Sequence, residues 1–349
     1  NPTALNINGA TITGVAVRAE QKGDTTQYNS AAFKVTQDAT TEDLVKKMPG
    51  ITVENGTVKA HGEDVKRILV DGKQFFGDDP SVTLKNLPAE VVDKIQVFDK
   101  LSDQAQWSGF DDGSGQKTIN IVTKNAKNTG QFGKFSAGYG TDDRYMLGAN
   151  LNLFKDQRRI TLLGMSNNIN QQNFQADNVP GTGGGSSMGG GRGMGMGSPQ
   201  NGVFTTNAIG VNYTDSWGKK LVLNASYFWN NGTITTNRIT DRQYIITKDS
   251  NQYYNENSRS TSTNTNHRIN ARIEYNIDTN NSIILSPRFT IQDNNSQSAF
   301  AAKTATSFDY LQSNLINSSV NNSNGTTPGY SLNNDFLYRH KFAKRGRTI

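Results

Sequence analysis

The stretch TNHRINARIEYNI, residues 265–277, alternates between two kinds of side chain with a period of two. One face is apolar or aromatic apart from one histidine: His267, Ile269, Ala271, Ile273, Tyr275 and Ile277. The other face is polar or charged: Asn266, Arg268, Asn270, Arg272, Glu274 and Asn276. This period predicts a β-strand with one apolar and one wet face. A strand of about ten residues is long enough to cross a bilayer when tilted, whereas soluble strands average about five or six.

Four further runs, at 145–154, 221–230, 282–292 and 332–341, share the alternation. We predict eight strands, near 131–140, 144–154, 159–167, 203–213, 220–230, 265–277, 282–292 and 331–341. The connections between strands are short at 155–158, 214–219, 278–281 and 342–346. Long loops are predicted at 168–202, 231–264 and 293–330. Short turns on one side and long loops on the other are typical of bacterial outer-membrane barrels.

The composition fits a β-rich chain and excludes several classes. The 349 residues are 34% hydrophobic, 19% charged and 9% aromatic, and no apolar run approaches the length of a spanning helix. There is no cysteine, which excludes disulfide scaffolds and thiolate sites. The net charge is +6, but Lys and Arg are scattered, so no nucleic-acid partner is predicted. Because the chain starts at Asn1 without Met or a signal peptide, we expect a processed or excised segment.

The first third has the pattern of a compact α+β unit. Thr40 is suited to cap a helix, with Asp43 at the capping-box position, and Pro49-Gly50 ends that helix. Strands are predicted at 51–53, 57–60, 67–70, 95–98 and 118–122, with a turn at Asp71-Gly72. We therefore divide the chain into a linker or seam (1–20), an α+β domain (21–125) and a partial barrel of about eight strands (126–349).

Four segments of the α+β unit, in the same order, resemble the plug of TonB-dependent outer-membrane receptors. They are TEDLVKKMPGITV (41–53), RILVDG (67–72), LPAEVVDKIQV (87–97) and TINIVTK (118–124). The family's "RGPxSxLYG" segment is replaced here by KLSDQAQW (100–107), and no TonB box precedes the unit. The pattern is similar to the subgroup in which a carboxypeptidase-regulatory-like domain precedes the plug, with residues 1–20 as the seam.

The resemblance implies a mainly β fold: a small α+β plug domain followed by the N-terminal strands of a large antiparallel transmembrane β-barrel. A closed eight-stranded barrel is the rival topology, but its interior is too narrow to hold a plug. Since the chain stops after a short turn and lacks a terminal aromatic residue, we expect a fragment.

The implied function is import of a scarce or large nutrient across the Gram-negative outer membrane. The implied partners are a TonB-type energy-transducing protein, outer-membrane lipid, the unknown nutrient and possibly a surface lipoprotein. The alternative is a non-transporting outer-membrane scaffold, assembly or adhesion protein of the same architecture. A third class, a soluble β-sandwich binding module, would stay in the aqueous phase without detergent.

Two groups of residues are candidates for contact with substrate or lumen. The first is the inward polar row, expected to pair with plug acids or to line a wet lumen: Arg268, Arg272, Glu274, Arg288 and Arg339. The second comprises three tyrosines of the predicted loop 231–264, expected to meet a ligand arriving from outside: Tyr244, Tyr253 and Tyr254.

Other motifs give no enzyme, cofactor or metal prediction. The three histidines, His61, His267 and His340, are isolated, so no catalytic constellation emerges. Residues 181–197 hold ten glycines and three methionines; a flexible loop is favoured over a copper or haem contact. DDGSG at 111–115 lacks the spaced acids of a calcium loop and predicts a turn.

Overall fold

A computed structural model describes residues 17–37, 39–54, 57–76, 80–124, 129–171, 202–218, 220–247, 250–344 and 347–349. None of the helices in these ranges is long and apolar enough to span a membrane. The described chain has two parts, an N-terminal unit (residues 17–124) and a large antiparallel sheet (residues 129–349).

The N-terminal unit contains nine strands and three short helices among its described residues. The strands are β1 (Ala19–Lys22), β2 (Thr25–Asn29), β3 (Ile51–Glu54), β4 (Thr57–Ala60), β5 (Glu63–Asp64), β6 (Arg67–Val70), β7 (Lys73–Gln74), β8 (Val92–Lys100) and β9 (Gln116–Thr123). The helices are α1 (Thr41–Val45), α2 (Pro80–Asn86) and α3 (Asp103–Ser108). Six strands form one sheet in the order β1-β2-β8-β9-β6-β7, with β6 and β9 parallel, and β3-β4-β5 form a second. The predicted strands of this part are confirmed.

Local chemistry sets the ends of these elements. The Thr40 side chain accepts a hydrogen bond from the Asp43 amide, and the Asp43 carboxylate accepts one from the Thr40 amide, so the predicted capping box is confirmed. The turn between β6 and β7 has positive φ at both Asp71 and Gly72, the conformation of a tight two-residue hairpin.

The core of the N-terminal unit lies between its sheets and helices. Its largest fully buried side chains are aliphatic or aromatic: Phe75, Leu44, Ile68, Leu84, Leu87, Ile95, Ile119, Ile121, Val45, Val58 and Val70. Each such side chain contributes roughly 1.5–3 kcal/mol when fully buried, which allows a small unit with short helices to hold its shape.

The large sheet has eight strands in sequential antiparallel order, as predicted. They are β10 (Thr129–Tyr139), β11 (Tyr145–Lys155), β12 (Arg158–Asn167), β13 (Val203–Trp217), β14 (Leu221–Thr247), β15 (Ser250–Asn276), β16 (Asn281–Ala305) and β17 (Leu315–His340). Within the described residues β10 and β17 are the two edges and do not pair with each other. The closed eight-stranded alternative is therefore not formed.

The predicted loops 231–264 and 293–330 are wrong. Residues 231–247 belong to β14 and residues 250–264 to β15, and these two strands pair with each other along this stretch. β16 and β17 also pair throughout, from Asn281 opposite His340 to Ala305 opposite Leu315. These four strands are 25 to 27 residues long. The apolar alternation stops because both faces become polar, while the backbone pairing continues.

Candidate functional site

The two faces of the large sheet differ, and the N-terminal unit lies on the polar face. Buried polar residues of this face include Asn152, Thr161, Asn212, Asn224 and Ser226. Several of them meet the backbone of the N-terminal unit directly, as described next. We call this contact surface the interface.

Side-chain amides of the large sheet bind backbone groups of β7 and of the residues that follow it. Asn212 accepts a hydrogen bond from the Phe76 amide at 3.2 Å, and the Asn224 amide donates to the Gln74 carbonyl. Leu163 of β12 joins the buried core of the N-terminal unit, and Phe132 of β10 packs against that core. The interface is therefore mainly polar, with a small apolar centre.

A buried ion pair holds the β6–β7 turn against the sheet. Arg159 of β12 is 2% exposed, and its guanidinium lies 2.8 Å from the Asp71 carboxylate while also donating to the Val70 carbonyl. The same carboxylate accepts hydrogen bonds from the amide and hydroxyl of Thr123 at the end of β9. Breaking such a pair leaves an uncompensated buried charge, so the turn is fixed to the sheet.

Helix α3 provides the second charged contact. Its ends are set locally, because Ser102 accepts from the Ala105 amide and Gly109 closes the helix with φ +78°. Asp103 in its first turn lies 3.0 Å from the Arg272 guanidinium of β15, and Arg272 also binds Glu274 at 2.7 Å. Arg272, one residue of the predicted inward row, therefore meets an acid of the N-terminal unit, and Glu274 of the same row pairs with Arg272.

Trp107 of the same helix lies close to two cations of the large sheet. The Arg339 guanidinium is 4.6 Å from its ring centroid and the Lys341 ammonium 4.4 Å. Arg339 also donates to the Asp103 carbonyl at 3.2 Å and to the Ser282 hydroxyl at 2.8 Å. Each cation–π contact stabilises by roughly 0.5–2 kcal/mol, more when water is excluded.

The charge of Asp103 is maintained by its surroundings. Burial alone would raise the pKa of its carboxyl, but the Arg272 guanidinium, with smaller help from Lys100 and Arg67, lowers that pKa below its ordinary value. Because the pKa is lower in the folded state than in the unfolded state, the ionised carboxylate stabilises the fold at pH values above its unfolded pKa of about 4. This stabilisation is lost only as the pH falls through the lower pKa of the folded state. The α3 contact therefore keeps its charge at neutral pH.

The opposite face of the large sheet carries an apolar band. Four rows of residues run in register across β14, β15, β16 and β17: Leu221–Tyr275–Ile283–Tyr338, Leu223–Ile273–Leu285–Phe336, Tyr227–Ile269–Phe289–Leu332 and Trp229–His267–Ile291–Tyr330. None of these residues belongs to a buried core in the described part of the chain, and Ile269 is 46% exposed. Aromatic residues mark both ends of the band.

The band has a defined length along the strands. It covers nine residues of β14, from Leu221 to Trp229, which is about 27 Å along a strand. The next outward rows are polar, beginning with Asn231 opposite Thr265 and Thr233 hydrogen-bonded to Thr263 at 3.0 Å. An apolar band about 25 Å tall between aromatic girdles is characteristic of outer-membrane barrels.

The predicted tyrosines lie far from the charged interface. Tyr244 is on β14, and Tyr253 and Tyr254 are on β15, so their placement in a loop is wrong. The Tyr254 hydroxyl donates to Glu256, and the Tyr253 ring meets Phe308 edge-on. About twenty residues of strand, roughly 65 Å, separate them from Arg272. The two predicted groups do not form one site.

The remaining predicted residues share the polar face with Arg272. Arg288 of β16 lies 3.4 Å from Asp335 of β17 and borders a cleft at the interface. Arg268 lies on β15 between Asn266 and Asn270, which pair with Asn230 and Ser226 of β14. Whether any of these side chains contacts a substrate stays a prediction.

Several interface residues were not predicted from sequence. Arg159 and Asp71 were separated by 88 positions, and Asp71 was interpreted only as a turn residue. Asp103 and Trp107 lie in KLSDQAQW, the segment noted because it departs from the family pattern. That departure was the available signal, since a changed segment inside an otherwise matching unit points to a changed contact.

Two motifs gave no site. The glycine- and methionine-rich stretch 181–197 lies outside the described residues. At 111–115 the side chains of Asp111 and Asp112 accept hydrogen bonds from the amides of Gly113 and Ser114, which is the predicted turn. No group of three or more metal-binding side chains occurs among the residues that the structure covers.

No family model matches the sequence, and no curated protein matches it. Solved structures do match. The copper transporter OprC is 11% identical, with 98% of this chain and 63% of that chain covered and a TM-score of 0.30. The siderophore receptor PirA of Pseudomonas aeruginosa is 12% identical, with 93% and 63% covered and a TM-score of 0.30. The ferric enterobactin receptor PfeA of Pseudomonas aeruginosa is 11% identical, with 93% and 61% covered and a TM-score of 0.32. The chain thus spans less than two thirds of the length of these structures.

Proposed function

We propose that the chain is part of an outer-membrane transport protein in which the N-terminal unit is the plug and the large sheet is part of the barrel wall. In this proposal the protein imports a scarce or large nutrient of unidentified class, with energy from a TonB-type partner. It is a transporter and not an enzyme.

The apolar band carries this proposal. Four outward rows of Leu, Ile, Phe, Tyr and Trp, with one His, lie on the face opposite the N-terminal unit, while the inward rows bind that unit through polar side chains. Water would penalise such a continuous apolar surface, whereas lipid accommodates it. Because lipid cannot satisfy backbone groups, the two open edges of the sheet would need further strands in the membrane.

The polar interface supports a plug that can move. Apart from the packing of Leu163 and Phe132, the contacts described above are ion pairs, amide hydrogen bonds and the Trp107 contacts, which water can replace when the plug shifts. An apolar interface of the same size would have to expose its apolar surface to water when the plug moves. The four resembling segments at 41–124 support the same assignment.

Uptake in cells that express the protein tests the proposal. Cells would be given labelled ferric siderophore, oligosaccharide, peptide and vitamin, with the TonB-type protein present or deleted. We expect accumulation of one class only when that protein is present, because passage past a seated plug needs energy. Cells without the protein are the control.

Binding of a probe at the cell surface without energy-dependent accumulation would overturn the transport proposal. That result would favour the scaffold or adhesion alternative, which needs the membrane band but no passage. Recovery of the purified chain in the aqueous phase without detergent would contradict both, since it would mean that the apolar band is covered by protein.

A further inference from the structure

The segment that ends β17 and turns the chain is strongly basic. In RHKFAKRGR, residues 339–347, five of the nine residues are Lys or Arg. Arg339 and Lys341 contact helix α3 on the polar face of the sheet. Lys344 and Arg347 instead lie exposed on the turn, and no carboxylate among the residues that the structure covers pairs with either of them.

Hydrogen bonds and ring contacts fix this turn beside the apolar band. The Phe342 amide donates to the Arg347 carbonyl at 3.0 Å, so the two residues lie opposite each other. The Phe342 ring meets the His340 ring edge-on at 4.6 Å, and His340 shares the outward face with Tyr338, two residues earlier on β17. The Arg347 guanidinium lies 4.6 Å from the centroid of the Phe342 ring. Arg347 is therefore on the outward side of the sheet.

The turn also lies at the level of lipid headgroups. Phe342 is four residues beyond Tyr338, which belongs to the last row of the band, and this is roughly 13 Å along a strand. Because barrel strands are tilted by about 35–45°, the difference in depth is near 10 Å. The headgroup layer occupies about 5–8 Å beyond the hydrocarbon core. Long cationic side chains beside Phe342 therefore reach the depth of the phosphates.

The two ends of the large sheet differ in charge. At the end with the short turns, Arg158 is paired with Asp215 and Lys341 is turned toward Trp107. The other described charges of these turns are four cations and two acids: Lys155, Lys220, Lys344 and Arg347 against Asp156 and Asp278. The described connections at the opposite end have three acids and one cation: Asp142, Asp143 and Asp309 against Arg144. An anionic surface is therefore attracted to the short-turn end.

We propose that the turn after β17 binds the phosphate group of an anionic phospholipid through Lys344 and Arg347. Basic residues next to a membrane-crossing segment bind anionic lipid, and a guanidinium can donate two parallel hydrogen bonds to one phosphate. The contact between Arg347 and Phe342 holds that guanidinium at the edge of the band. This inference rests on the proposed function, because lipid reaches the turn only if the apolar band faces a membrane.

Electron spin resonance of the whole chain in phosphatidylcholine vesicles tests the inference. Trace spin-labelled phosphatidylcholine or phosphatidylglycerol is added, and the fraction of each lipid that is immobilised against the protein is measured. We expect at least about twofold preference for phosphatidylglycerol. The double variant Lys344→Gln, Arg347→Gln should lose most of this preference, and about 0.5 M salt should weaken it in the unchanged protein.

The matched control is the double variant Arg259→Gln, Lys303→Gln. It removes the same two residue types from exposed positions on the outward face of β15 and β16, at ~50 Å or more along the strands from the short-turn end. Its preference for phosphatidylglycerol should equal that of the unchanged protein. Loss of the preference only in the variant of the turn supports the site.

Two results would overturn the inference, and they can be told apart. Immobilised lipid without a preference for phosphatidylglycerol, or with the same preference in all three proteins, would contradict the site and leave the membrane-facing wall standing. No immobilised lipid in any of the proteins would overturn the wall and the site together.

Discussion

Replacing Arg159 with methionine is expected to lower the free energy of unfolding by about 3–5 kcal/mol, because Asp71, whose side chain is only 16% exposed, is then left without its cation. Methionine keeps most of the volume of the arginine stem, so the loss of charge dominates. The two hydrogen bonds from Thr123 remain, which places the effect toward the lower end of that range. Urea unfolding in detergent, followed by tryptophan fluorescence, measures the effect.

The neighbouring Arg158 provides the control. It also pairs with an acid, Asp215 at 3.1 Å, but its side chain is 55% exposed and faces the other side of β12. Asp215 is itself buried, but it keeps hydrogen bonds from the Tyr213 hydroxyl and the Ser216 amide. Because the Arg158 charge is already largely in water, Arg158→Met should shift the urea midpoint less than Arg159→Met. Equal shifts for the two variants would contradict a role for Arg159 in holding the N-terminal unit on the sheet.

Replacing Ile269 with arginine is expected to destabilise the protein in lipid vesicles by roughly 2–4 kcal/mol, the cost of a cation near the middle of a membrane-facing strand. Ile269 is 46% exposed in the absence of lipid, and the exposed surface of a water-soluble protein would accept arginine at almost no cost. Reversible unfolding of the protein in phospholipid vesicles measures the difference.

Thr263→Arg is the matched control for this variant. Thr263 lies on the same strand and the same face as Ile269, in a polar row that follows the apolar band. Its replacement should cost about 0–1 kcal/mol, since the side chain would reach water. If Ile269→Arg costs no more than Thr263→Arg, the outward rows do not face lipid.

Much of the fold follows from local sequence signals. The capping box at Thr40, the turn at Asp71-Gly72 and the alternation in 265–277 each depend on residues close together in the chain, so they were predictable. The apolar and polar faces of the long strands also follow directly, because a period of two assigns every second side chain to the same face.

The outer halves of the long strands were not predictable in this way. Residues 231–247 and 250–264 are rich in Asn, Ser and Thr on both faces, so the hydrophobic period vanishes although backbone pairing continues. A polar stretch of this kind is indistinguishable from a loop when only burial patterns are used. The tyrosines predicted to lie in a loop were misplaced for that reason.

For the candidate site, the sequence predicted only which side chains share the polar face of the sheet. The alternation of side chains correctly placed Arg272, Glu274 and Arg339 on one face, but it does not show which residues lie opposite them. Asp103 and Trp107 come from a segment more than 160 residues earlier, and only the fold brings them to β15 and β17.

The absence of cysteine allows the central claim to be tested by single labels. Cysteines placed one at a time along β15, at odd and even positions from 267 to 275, would carry a spin label in lipid vesicles. Collision rates would then be measured with oxygen, which concentrates in lipid, and with a water-soluble nickel complex. The account predicts high oxygen contact at 269, 271 and 273 and low oxygen contact at 270, 272 and 274, which face the N-terminal unit and the polar cavities beside it. High nickel contact at the odd positions would contradict a lipid-facing wall around a plug.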